Sequence, residues 1–209
     1  MKFGDLKAKM RDWLAVPTGR ISDTVCGDLL NLSMRELLRF HDLRFGEATV
    51  PFDTVASQPD YDLPAGWSRP HTLWYLHPDT GGIVFLNQRM KERFDLDHPK
   101  TSVTGDPAAY NVWGATMRLG PTPSRVVTVS QNFYRILPDL VDDNDENEFT
   151  LHAWEPIFFR ALTEATKYLI EDPRTSLWEQ KAIATENRLV LEHSRATHAG
   201  GRLVIEEPG

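Results

Sequence analysis

Few residues in this chain of 209 can catalyse or ligate: seven histidines, one cysteine and a run of carboxylates near position 145. A nucleophilic Cys26 needs a lowered thiol pKa and a histidine partner. Instead it shares a helical stripe with Leu30, Met34, Leu37 and Leu38, where a cysteine packs as a small hydrophobe. The histidines are His41, His71, His77, His98, His152, His193 and His198. None pairs with another four residues on, and the spacing of His193 and His198 puts them on different helix faces, so no convergent metal ligand set is legible. The run Asp142-Asp143-Asn144-Asp145-Glu146-Asn147-Glu148 invites a calcium reading, with Asp143, Asp145 and Asn147 at the first, third and fifth loop positions. It fails where the loop needs glycine, which is Glu148, and where it needs a bidentate glutamate, which is Trp154. As a glycosidase acid and base these carboxylates lack the apolar pocket that raises a catalytic pKa. The run reads as a solvated acidic loop. The chain has no phosphate-cradling glycine loop and no nucleophile elbow. The expectation is a protein with no catalytic, cofactor or metal site.

Composition narrows the partners. A formal net charge of -7 argues against a dedicated duplex-DNA binder, which needs a basic face to neutralise phosphates. It suits a wall that DNA slides past without adhering. Hydrophobic residues at 41% and charged residues at 25% are ordinary for a soluble globular chain. A lone cysteine forms no intrachain disulfide and fits a cytoplasmic folding environment. Met1 to Lys9 has no apolar signal-peptide core. No apolar run reaches the ~18 residues that a membrane span requires.

The elements follow from periodicity and punctuation. Phe3, Leu6, Met10, Trp13 and Leu14 predict a helix over Lys2 to Val16, ended by Pro17 and Gly19. Ser22 or Asp23 caps a second helix reaching about Phe45. After Gly46, prolines arrive roughly every ten residues between short β-prone runs. Asp79-Thr80-Gly81-Gly82 turns a hairpin between Leu73–Leu76 and Ile83–Leu86. Residues 87–94 form a helical turn or two, and strands resume over 107–119 and 125–137. Helix returns at Pro156, with Phe158, Leu162, Ala165 and Leu169 as its stripe. Asp172-Pro173 separates it from a last helix ending near Ala196. The expected fold is α+β: a helical domain from residues 1–46 and 150–198, an inserted antiparallel β sandwich or barrel-like module over 47–149, and an extended tail over 199–209. Two readings fit the tail Arg202-Leu203-Val204-Ile205 equally. It is a fraying terminus, or a segment that orders on a neighbour by adding to a sheet edge or filling a groove.

In this order the motifs resemble the head-to-tail adaptor (connector) proteins of tailed phages. The resemblance rests on Leu29-Leu30-Asn31, Met34-Arg35-Glu36-Leu37-Leu38, the strand Glu47 to Ala56, and Tyr61-Asp62-Leu63-Pro64 followed by Trp67-Ser68-Arg69-Pro70. It continues through Pro107-Ala108-Ala109-Tyr110, Gly114 and Met117 to Pro123, then Tyr134 to Leu140, and the two C-terminal helices. One departure is Gly120, which stands where many members read directly into proline. The resemblance spans about residues 20–195. It implies a ring of identical subunits, usually twelve, docked under the portal protein in the virion neck and assembled in the host cytoplasm. Such a ring extends the DNA channel and offers a surface to tail proteins such as nozzle or stopper. Arg202, Leu203, Val204 and Ile205 become the expected portal-binding segment. Trp13, Trp67, Trp113 and Trp178 become candidates for interface positions, since aromatics concentrate at interface centres. Alternatives from other classes are a different neck component (stopper, nozzle or terminator), a ligand-binding β module with helical flanks, and a cell-wall hydrolase. The last has no supporting spacing.

Overall fold

The computed structural model describes residues 1–15, 21–168 and 172–198. The chain forms two compact units: Met1–Phe45 together with the chain from Leu137 onward, and Gly46–Ile136. The fold is mixed α+β, with helices flanking a β module in sequence.

The helical unit contains α1 (Phe3–Leu14), α2 (Asp23–Phe40), α4 (Glu148–His152), α5 (Trp154–Tyr168) and α6 (Thr175–His198). The central helix is α5, which packs against α1, α2 and α6. Its Phe158, Ala161, Leu162 and Ala165 are fully buried, as the apolar spacing predicts. The second helix stops at Phe40, short of the expected Phe45. His41 turns extended and its Nε2 lies 2.6 Å from Glu186 Oε1, so a tertiary contact takes over from the helical pattern.

The β unit contains β1 (Glu47–Asp53), β2 (Asp60–Asp62), β3 (Trp67–Leu76), β4 (Ile83–Gln88), α3 (Lys91–Asp97), β5 (Thr104–Gly105), β6 (Ala109–Trp113), β7 (Thr116–Gly120), β8 (Thr122–Pro123) and β9 (Thr128–Arg135). Seven strands form one sheet in the order β1-β9-β3-β4-β6-β7-β2. Most pairs are antiparallel; β4–β6 and β5–β8 are parallel. The first parallel pair exists because residues 89–108, carrying α3, cross over between β4 and β6. Chain length forces the sheet to curl. Its two edge strands, β1 and β2, are consecutive and joined only by residues 54–59. Laid flat, seven strands would hold those edges roughly 29 Å apart at ordinary strand spacing. The seven residue steps from Asp53 to Asp60 reach at most about 25 Å. The sheet therefore closes into a half-barrel, and the Phe52 and Tyr61 rings meet at 5.1 Å. Tyr61, Leu73, Tyr75, Leu86, Tyr110, Met117, Leu119 and Val129 fill its concave side.

Candidate functional site

Several clusters of polar side chains among the described residues tie elements together. In the β unit, Arg125 donates to both oxygens of Asp106 at 3.1 Å and to Asp79 at 2.9 Å, while His77 Nε2 lies 3.2 Å from Asp106. The Arg125 hydrogen bonds hold the Asp106 carboxyl below the usual carboxylate range, with His77 adding to the effect. Asp79 sits in the β3–β4 turn, so the cluster pins the hairpin tip to the segment entering β9. A bidentate Arg118–Asp60 pair similarly ties β2 to β7, alongside their ladder.

In the helical unit Arg160 bridges Glu36 of α2 and Glu186 of α6 from α5 between them. Arg174 donates to the carbonyls of Trp13 and Leu14 at the end of α1, where helix carbonyls run out of intrahelical donors, and its own pairing with Asp172 keeps that carboxyl low. The acidic run is a largely exposed loop, as its composition predicts, and its backbone is also tied to the helical unit. Its carbonyls at Asp145 and Asp143 accept from the Phe3 and Gly4 amides, the orphan donors at the start of α1. Lys7 pairs with Asp143, and Asp145 accepts from the amides of Val141 and Asp142, which lowers its pKa. These contacts explain why residues 137–149 group with the helices. The sequence signals were Gly4, whose added Cβ would stand 2.9 Å from Asp143 Cβ, and the capping residue Asn147 of α4.

Among the described residues, no group of three or more His, Cys, Asp or Glu is placed to hold a metal ion. Cys26 is buried, and burial, followed by the Asp23 charge, pushes its thiol pKa up, away from nucleophilic reactivity. Tyr110 is pushed up to about 12 by burial in the half-barrel. No described helix is long and apolar enough to cross a membrane.

The structure instead offers surfaces. On β3 and β4 the outward positions pair as Trp74 with Phe85 and Leu76 with Ile83. Leu76, Ile83 and Phe85 are 56%, 59% and 60% exposed. Contiguous apolar faces are what protein contact sites commonly expose. Its signal was in the sequence: Leu73–Leu76 and Ile83–Leu86 are apolar on both faces, where a strand covered on one side needs only alternate apolar residues. Of the four tryptophans expected at an interface, Trp113 is 69% exposed at the β6–β7 turn. Trp178 is buried and Trp13 packs against it, Phe158 and Phe159; Trp67 stacks on Phe133. Trp178 belongs to the core, whereas Trp13 and Trp67 are only half-buried in their units. Arg202, Leu203, Val204 and Ile205 lie outside the described residues.

A family model described as SU10 adaptor protein matches residues 1–203. The chain belongs to the SU10 adaptor protein family. This is a phage head-to-tail adaptor family, which gives the adaptor a structural role in the virion neck. The match reaches further at both ends than the motifs legible in the sequence, and it includes Arg202 and Leu203. No curated protein matches the adaptor chain.

Proposed function

We propose that the protein is a non-enzymatic subunit of a homo-oligomeric ring, of twelve copies, that docks under the portal protein, prolongs the DNA channel and presents an attachment surface to tail proteins. The observation that carries this reading is the family match over residues 1–203. The polar clusters support it, since each is consumed in tying elements together. The rigidly pinned β3–β4 hairpin supports it too, because its exposed Leu76, Ile83 and Phe85 are suited to a protein neighbour. A net charge of -7 favours a channel wall that repels passing duplex DNA. Assembly takes place in the host cytoplasm, before the neck closes on the packaged head.

In this reading Arg202, Leu203, Val204 and Ile205 reach the portal. Deleting Gly200 to Gly209 should weaken binding to purified portal rings by at least tenfold while leaving the circular dichroism spectrum and melting temperature unchanged. Undiminished portal binding would remove the tail from the contact. Absence of any binding by the full chain to portal rings would remove the docking reading altogether.

A further inference from the structure

The two outermost strands of the seven-stranded sheet are guarded against pairing with another chain. On β1 the next amide, Thr54, bonds inward to Val127, so alternation turns the backbone of Pro51 and Asp53 to the outer edge. Pro51 offers no N–H there, and Glu47 and Asp53 add charge. At the other end of the sheet β2 is only Asp60–Asp62, with a carboxylate at each end. The stretch of β3 that runs past β4 carries Arg69, Pro70 and two irregularities of register. Proline, charge, bulges and short strands are the devices that keep open edges from pairing.

The start of β4 has none of them. Ile83–Leu86 pairs with β3 on one side, whereas β6 joins the other side only at Asn87 and Gln88. The amides of Asn87 and Arg89 point to that second side, donating to Ala108 and Tyr110. Alternation puts the N–H and C=O groups of Ile83 and Phe85 there too, where no described strand pairs with them. All four side chains of the stretch are apolar, and Ile83 and Phe85 are exposed beside Leu76. An unpaired, uncharged edge of this kind is a template for one more strand.

The chain carries a segment of matching length and chemistry. Arg202-Leu203-Val204-Ile205 lies between Gly200-Gly201 and Glu206-Glu207-Pro208. Glycine, glutamate and proline are all poor strand formers, so the β-prone run is confined to these four residues. The open stretch of β4 is confined to the same length, by the turn at Gly82 on one side and the Asn87–Ala109 pairing on the other. The last described helix ends at His198, and the segment follows it.

We propose that, before any portal is bound, Arg202–Ile205 of one copy adds as a strand to the Ile83–Leu86 edge of another copy. Leu203 and Ile205 then lie beside Ile83 and Phe85 on the outer face. The inference goes beyond the portal reading, because it gives the segment an acceptor while the portal is absent.

The test is made without portal. A fluorescent peptide of residues 200–209 is titrated into the chain lacking those residues, and binding is read by anisotropy. The peptide should bind, and Phe85→Lys in the acceptor should weaken it by about tenfold or more, since a charge then meets an apolar strand. Phe85→Thr serves if the lysine variant loses its circular dichroism spectrum. In sedimentation the full chain should form multimers and the truncated chain a smaller species. No peptide binding, or binding that the Phe85 variants leave unchanged, would overturn the proposal. Equal masses for the full and truncated chains would overturn exchange between copies; if the full chain also refused the peptide, the segment would sit on its own copy. None of these results depends on portal docking, which stands or falls on its own measurement.

Discussion

Gly120 leaves no room for a side chain. A Cβ at this position would stand 2.5 Å from the His98 ring, inside any real contact distance. Gly120→Ala should therefore cost about 1–3 kcal/mol, the usual penalty for overpacking. Adding His98→Ala should return part of that loss, since the two substitutions act on one contact. Urea unfolding of the two single variants and the double variant checks this; a Gly120→Ala protein as stable as the parent would refute the clash. The glycine was visible in the sequence as a departure from the family pattern, but its reason was not. The partner, His98, is brought over it by α3, and no local spacing reveals that. Three carboxylates give the protein an acid-sensitive side. Asp106 is held low by Arg125, Asp145 by two backbone amides and Asp172 by Arg174. A depressed folded-state pKa stabilises fully above the unfolded value of about 4 and is lost as pH falls through the folded values. The urea midpoint should stay level from neutral pH to about 5 and fall steadily below about 4. An unchanged midpoint at the acid end would show that these pairs do not contribute.

Helix ends carry much of what the sequence did and did not disclose. The starts of α2 at Ser22 and of the last helix around Asp172 were legible because the cap is local: Ser22 Oγ accepts from the Val25 amide, and the Asp172 carboxylate accepts from the Arg174 amide. The β hairpins were legible for the same reason, their turn residues lying between the strands they join. What closes the end of α1 was not legible, because Arg174 is far off in sequence and reaches it only through the packed fold. The exposure of the acidic run was legible from its composition, but its backbone tie to α1 was not, since the partners are the amides of Phe3 and Gly4 at the far end of the unit's chain. Arg174→Ala removes a charged donor from two carbonyls and should lower stability by about 1–3 kcal/mol. Arg174→Lys should recover only part of it, because a single ammonium cannot span both carbonyls in the way of a planar guanidinium. Thermal melting of the two variants separates these outcomes; a full rescue by lysine would mean that charge alone, through the α1 dipole, carries the effect.

The route of the chain shows how the β unit can exist as an insertion. It is one continuous segment, Gly46–Ile136, and its first and last strands, β1 and β9, are paired antiparallel with Glu47 opposite Tyr134. Paired ends lie about 5 Å apart, so the segment leaves the helical unit and returns to it at nearly one point. Its apolar core draws on strands across the whole sheet and needs no side chain from outside the segment. A unit of this length can bury a sufficient core alone. The isolated 46–136 fragment should therefore show a β-type circular dichroism spectrum and a single cooperative unfolding transition. The converse follows from the same geometry. Joining Phe45 to Leu137 through a short Gly-Ser linker bridges a gap that a few residues span, and the helical unit should keep its helix content and fold cooperatively. Its core on α5 is built from α1, α2 and α6, all of which remain. A linked helical protein that loses its helix content, or a β fragment without a cooperative transition, would show that each core depends on the other. In that event the adaptor folds as one cooperative body, and the exposed faces of the two units could not be varied independently.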